Sequence, residues 1–228
     1  MIYFEQMERN LVIENLYFIP LILSAVVSLR TFRKDWPIAI RFIAAYLLVT
    51  AFIEVFAALW KGYLHDTPWW IFKPYNHWIY NLGIVIRYPL VFAYFSEYLP
   101  GRRSRALLVS ISFVALLVNL LFGQGLHQFN SYSVLFSFFL ILLLCFWFFR
   151  YILIRKDIVN LMSATEFWIT AGLFFYHAAT LPLFFIINAL NSQSALVANT
   201  FFLVNDPLYF IMHTFLTIAF LCTPKFLH

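Results

Sequence analysis

The stretch Ser131–Tyr151, SYSVLFSFFLILLLCFWFFRY, decides the fold class, because it is long enough to cross a bilayer as a helix and carries one charged residue, Arg150, near its end. Six more runs of this kind surround it: Leu11–Leu29, Trp36–Trp60, His77–Leu99, Ala106–Phe122, Phe167–Leu190 and Thr200–Cys222. Over 228 residues the chain is 64% hydrophobic and 11% charged, with a mean hydropathy of +0.85, more apolar matter than one water-soluble core of this size can bury. The expectation is an all-α membrane protein: a single integral-membrane domain over 1–228, folded as a seven-transmembrane helix bundle in a lipid bilayer. The spans leave no room for a soluble catalytic or nucleic-acid-binding domain, so function must lie within or between the helices.

The net charge of +5 follows the spans. Arg30, Arg33, Lys34 and Arg41 surround the first connection, Arg102, Arg103 and Arg105 fill the third, Arg150, Arg155 and Lys156 open the fifth, and Lys225 follows the last span. The other side holds only Arg9, Lys61 and Lys73. Basic residues concentrate in cytoplasmic loops, so this asymmetry predicts an N-out, C-in orientation and explains the basicity without nucleic acid. The start, MIYFEQMERN, has acidic residues where a signal peptide needs basic ones, so the first span is expected to be retained. Cys145 and Cys222 fall near cytoplasmic span ends, where a reducing compartment disfavours a disulfide. The connection KGYLHDTPWWIFKPYNHW, 61–78, is dense in Trp, Tyr and Pro, with Thr67 and Pro68 as a helix start. It reads as an interfacial aromatic belt or as a lid over an outward cavity.

Ionisable residues inside spans carry the functional information, since each costs several kcal/mol in hydrocarbon unless it meets a partner or water. Glu14, Glu54 and Asp206 fall in the outer parts of spans one, two and seven; Arg87, His177 and His213 fall near the middle of spans three, six and seven. Helical spacing places them on shared faces. Tyr80, Arg87 and Tyr94 recur every seven residues with Gly83 between, as do Asp206 and His213; Tyr46, Thr50 and Glu54 form one stripe, and Thr170, His177 and Thr180 another. The same stripes serve ordinary interhelical hydrogen bonding. Arg87 at mid-membrane demands a carboxylate, with Glu54 and Asp206 as candidates for a bidentate pair. Such a pair either fixes helix register or belongs to a ligand pocket. Excess carboxylates over arginine call for protons, a histidinium, a metal or a cationic ligand. Asp206 before Pro207 reads equally as a helix cap, and Glu166 as a capping-box partner of Ser163.

The candidate ligand-binding set is therefore Glu54, Tyr80, Arg87, Tyr94, His177, Asp206 and His213. His177 and His213 read either as packing residues or as proton-responsive groups. Were a metal bound, Glu54, His177, Asp206 and His213 would supply its ligands; no cofactor is otherwise specified. A retinal-binding opsin is disfavoured because the last span has no lysine for a Schiff base, while noncovalent binding of a lipid or pigment stays open. An intramembrane metal hydrolase is less favoured, with no HExxH, and no internal repeat marks a transporter. Span six, EFWITAGLFFYHAATLP, and the tyrosine-rich, Arg-bearing span three resemble the seven-helix sensory modules of bacterial signalling proteins, such as those fused to histidine kinases. The resemblance covers helix count, topology and the character of span six, and departs from the fused family because no output domain follows span seven. It implies a receptor-like or sensor-like protein of a bacterial inner membrane. Such a protein would bind a small amphipathic or cationic ligand, or protons, in an outward pocket and relay to a separate cytoplasmic or membrane signalling partner.

Overall fold

A computed structural model describes residues 16–33, 35–64, 76–126, 129–154, 160–189 and 195–224. The described chain is helical: α1 (Phe18–Ser28), α2 (Ile38–Leu59), α3 (His77–Ser96), α4 (Arg102–Val118), α5 (Ser131–Ile154), α6 (Thr165–Ala189) and α7 (Ala195–Leu221). A 3-10 turn, Leu29–Phe32, extends α1, and π-helical turns, Trp60–Leu64 and Asn119–Gly123, extend α2 and α4. The last six helices contain stretches long and apolar enough to cross a membrane, and α1 with its turn forms a shorter apolar segment, Phe18–Phe32. These helices make the chain an integral membrane protein. Lipid accounts for their outer faces: Phe52, Ile86, Ile111, Phe139 and Phe146 are large apolar side chains left exposed.

Helix ends differ from the sequence expectation where proline and capping signals compete. Span seven begins at Ala195, and Pro207 lies inside α7. Asp206 is thus a mid-helix residue and not a cap. A proline that starts a helix and one that bends it look alike in sequence, and neighbouring groups accommodate the freed carbonyl. At the start of α6, which begins at Thr165, the Ser163 hydroxyl donates back to Asn160 O at 3.0 Å and Glu166 is fully buried. Beside it, Ala164 and Thr223 form an isolated bridge that ties the end of the described chain to the start of α6. Cys145 is buried and Cys222 half-buried, both as thiols. Glu14, residues 65–75 of the aromatic connection, Lys34, Arg155, Lys156 and Lys225 lie outside the described residues.

The chain divides into two compact units, Thr31–Tyr151 and the pair of segments Met1–Arg30 with Ile152–His228. In the continuous unit α3 is central, packing against α2 and α4. Rings join it to α5: Tyr88 meets Phe138 edge-on at 6.2 Å and Tyr98 meets Phe148 at 4.8 Å. The buried face of α2 is built from Ile40, Ile43, Ala44, Leu47 and Ala51, spaced three and four apart as a helix requires. In the discontinuous unit α7 packs against both α1 and α6. Small residues allow this. A Cβ on Gly172 would stand 2.9 Å from Phe215 Cβ and 3.3 Å from the Met212 carbonyl oxygen, so glycine lets the α6 and α7 backbones approach.

Candidate functional site

Glycine also sets the spacing in the continuous unit. A Cβ on Gly83 would lie 2.7 Å from Ile53 Cδ1 and 3.6 Å from Arg87 Nε, so its absence lets α3 press against the α2 turn that carries Glu54. Arg87, one turn further along α3, points its guanidinium at that carboxylate, with Nη1 3.7 Å from Glu54 Oε1. From the other direction the Tyr80 hydroxyl donates to Glu54 Oε2 at 3.2 Å. Glu54 thus receives a cation and a hydroxyl on different oxygens. Below it, Ile53, Ala57, Trp60 and Ile79 form a buried apolar cluster with Trp78, whose ring meets Trp60 edge-on at 5.2 Å.

The pair is not closed into the bidentate contact that the sequence suggests. At 3.7 Å, unit charges attract by roughly 4 kcal/mol at an effective dielectric of about 20. Removing two ions from water costs several kcal/mol each, so the attraction offsets the burial cost without a clear surplus. Arg105 and Glu97, nearer the helix ends, meet at 2.6 Å. The Arg87 and Glu54 side chains keep 13% and 12% of their surface exposed, so the cluster is reachable from outside the protein. Within this unit Glu54 is a carboxylate that Arg87 faces.

Tyr94 is packed among aromatic rings. Two turns beyond Arg87, it is buried with its ring against Phe95 at 4.8 Å and Tyr98 at 5.4 Å. It belongs to an aromatic core continued by Phe148 and Tyr151.

His177, Asp206 and His213 lie in the other unit. His213 on α7 is buried, its Nδ1 3.0 Å from Ser24 Oγ on α1. The Ser24 hydroxyl also lies 2.8 Å from Leu21 O, so it bridges the α1 backbone and the imidazole. Tyr209 covers the ring at 4.5 Å and in turn meets Tyr17 and Tyr176, each at 5.6 Å. His177, also buried, donates from Nδ1 to the Leu173 carbonyl one turn earlier at 2.6 Å. The Tyr176 hydroxyl donates to Asn205 Oδ1 at 3.1 Å, tying α6 to α7 beside half-buried Asp206. Among the described residues no three His, Cys, Asp or Glu side chains are grouped as a metal-ligand set.

Two polar residues overlooked in the sequence matter here. Ser24 supplies the His213 contact, and Asn81, fully buried on α3, holds the turn before α5. The Asn81 Nδ2 donates to Gly125 O at 3.0 Å, and its Oδ1 accepts from Asn130 N at 3.0 Å. Asn119 continues the network to Asn130 and to Ser133 Oγ, the latter at 2.9 Å. A lone uncharged polar residue in an apolar run was the available signal in both cases. No protein-family model, curated protein or solved structure matches this chain.

Proposed function

We propose that this is a receptor-like or sensor-like membrane protein that binds a small ligand or protons at the Glu54–Arg87–Tyr80 cluster. On this reading the chain lies N-out and C-in in a bacterial inner membrane, the cluster faces outward, and helix movement passes to a separate signalling partner. The carrying observation is the partly accessible Arg87–Glu54 pair held at 3.7 Å. A pair serving only helix register gains most from tight, fully satisfied contact. A looser pair leaves room for a water, proton or ligand group to change its energy, and so to change the α2–α3 contact. The ligand is a small amphipathic or cationic molecule, or protons.

Native mass spectrometry of the full chain from mild detergent tests the reading. A copurifying small molecule lost in Arg87→Ala and Glu54→Gln, while both variants remain folded helical proteins, supports the site. Retained ligand with a large fall in melting temperature makes the pair structural.

A further inference from the structure

At the arginine-bearing end of the same unit, α3 and α4 leave a groove of about 960 Å³. Its walls are apolar: Ile86, Pro89, Leu90 and Ala93 from α3 face Val109 and Phe113 from α4. The small side chains of Ala93 and Ala106 leave the space open. The outer side of α4 presents Leu107, Ile111, Val114 and Val118, all exposed, so the groove borders the region that lipid occupies.

At one end the lining turns from apolar to charged, with Glu97, Arg102 and Arg105. Arg105 is committed: its Nη1 holds Glu97 Oε2 at 2.6 Å and its Nε donates to Leu99 O at 3.2 Å. Arg102 and the adjacent Arg103 are exposed and have no ion-pair partner among the described residues. Three arginines against one carboxylate give this end an unbalanced positive charge. Length identifies what would bring the matching charge. From Arg102 to Phe113 the helix rises roughly 16 Å, close to the ~15 Å hydrocarbon depth of one leaflet. A phospholipid has this layout, an apolar chain of leaflet depth beneath an anionic phosphate.

We propose that the α3–α4 groove seats one acyl chain of an anionic phospholipid whose headgroup phosphate is held by Arg102 and Arg103. The net positive end selects a headgroup with uncompensated negative charge over a zwitterionic one. Each basic residue near a membrane surface contributes a factor of about five, so the pair yields a preference on the order of tenfold or more. The site lies on different side chains from the Glu54–Arg87 cluster and stands or falls separately from it.

The test is native mass spectrometry of the full chain titrated with phosphatidylglycerol or phosphatidylcholine of matched chain length, with thermal stabilisation read in parallel. The intact protein is expected to retain one phosphatidylglycerol at least tenfold more tightly than phosphatidylcholine. Arg102→Gln with Arg103→Gln should abolish that preference while helical content is unchanged, since both side chains are exposed. Ala93→Leu should weaken both lipids by filling the groove. Glycerol 3-phosphate should not stabilise the protein, because it has no chain to bury. Equal retention of both lipids, an undiminished preference in the double arginine variant, or equal loss on Arg30→Gln with Arg33→Gln would overturn the proposal.

Discussion

At Arg87 two energies nearly cancel, which makes the residue sensitive to its partner. Removing the guanidinium alone leaves Glu54 half-buried beside Tyr80, so Arg87→Ala is expected to destabilise the protein by about 2–4 kcal/mol if no ligand compensates. Replacing both charges, with Arg87→Met and Glu54→Leu, should return stability to within about 1 kcal/mol of the native chain, because the desolvation cost disappears with the attraction. Denaturation of the two variants in one detergent separates these outcomes. In the other unit, Ser24→Ala removes the hydrogen-bond partner of His213 Nδ1 and should cost about 1 kcal/mol, measured the same way. The residue types at this scale were legible: intramembrane Arg87, Glu54 and His213 announce themselves by their cost in lipid. Their partners were less so. Helical periodicity places Tyr80 and Tyr94 symmetrically about Arg87, and Tyr80 is the one whose hydroxyl meets Glu54 at 3.2 Å. Tyr94 is taken up by the rings of Phe95 and Tyr98, a choice that depends on what α5 packs beside it.

Between elements, glycine and asparagine set the contacts. Gly172→Ala should destabilise by about 1–3 kcal/mol, because its Cβ would meet the Met212 carbonyl and the root of Phe215, neither of which can swing away. Gly83→Ala should cost less, under about 1 kcal/mol, since the atom it meets most closely is the rotatable tip of Ile53. Equal losses in thermal denaturation would contradict this ordering. Asn81→Leu strips the backbone of Gly125 and Asn130 of their side-chain partner, and hydrogen exchange of the Asn130 amide should quicken at least severalfold. Gly101 turns the chain from α3 into α4 at φ +80°, a conformation costly for residues with a Cβ. The long helices were readable from apolar runs alone. The start of α7 was not, because the Asn205-Asp206-Pro207 signal has two structural meanings and only packing selects one.

Across the whole molecule, the arginine distribution should be readable as topology. In a background with Cys145 and Cys222 replaced by serine, Gln124→Cys is expected to react with an impermeant maleimide in intact cells, and Arg103→Cys only after permeabilisation. The reverse pattern would invert the proposed orientation, and labelling of both from one side would remove α4 as a span. By itself the sequence determined that the chain lives in lipid as long helices, because an unbroken apolar run needs no knowledge of its neighbours to be insoluble in water. It also named the ionisable residues that lipid penalises. Only tertiary structure decided that Glu54 stands opposite Arg87 within one unit, that Asp206 sits inside a helix, and that α3 and α4 part to leave a groove. Those outcomes depend on which small residues let two backbones approach, a property of pairs of helices that no single run of sequence contains.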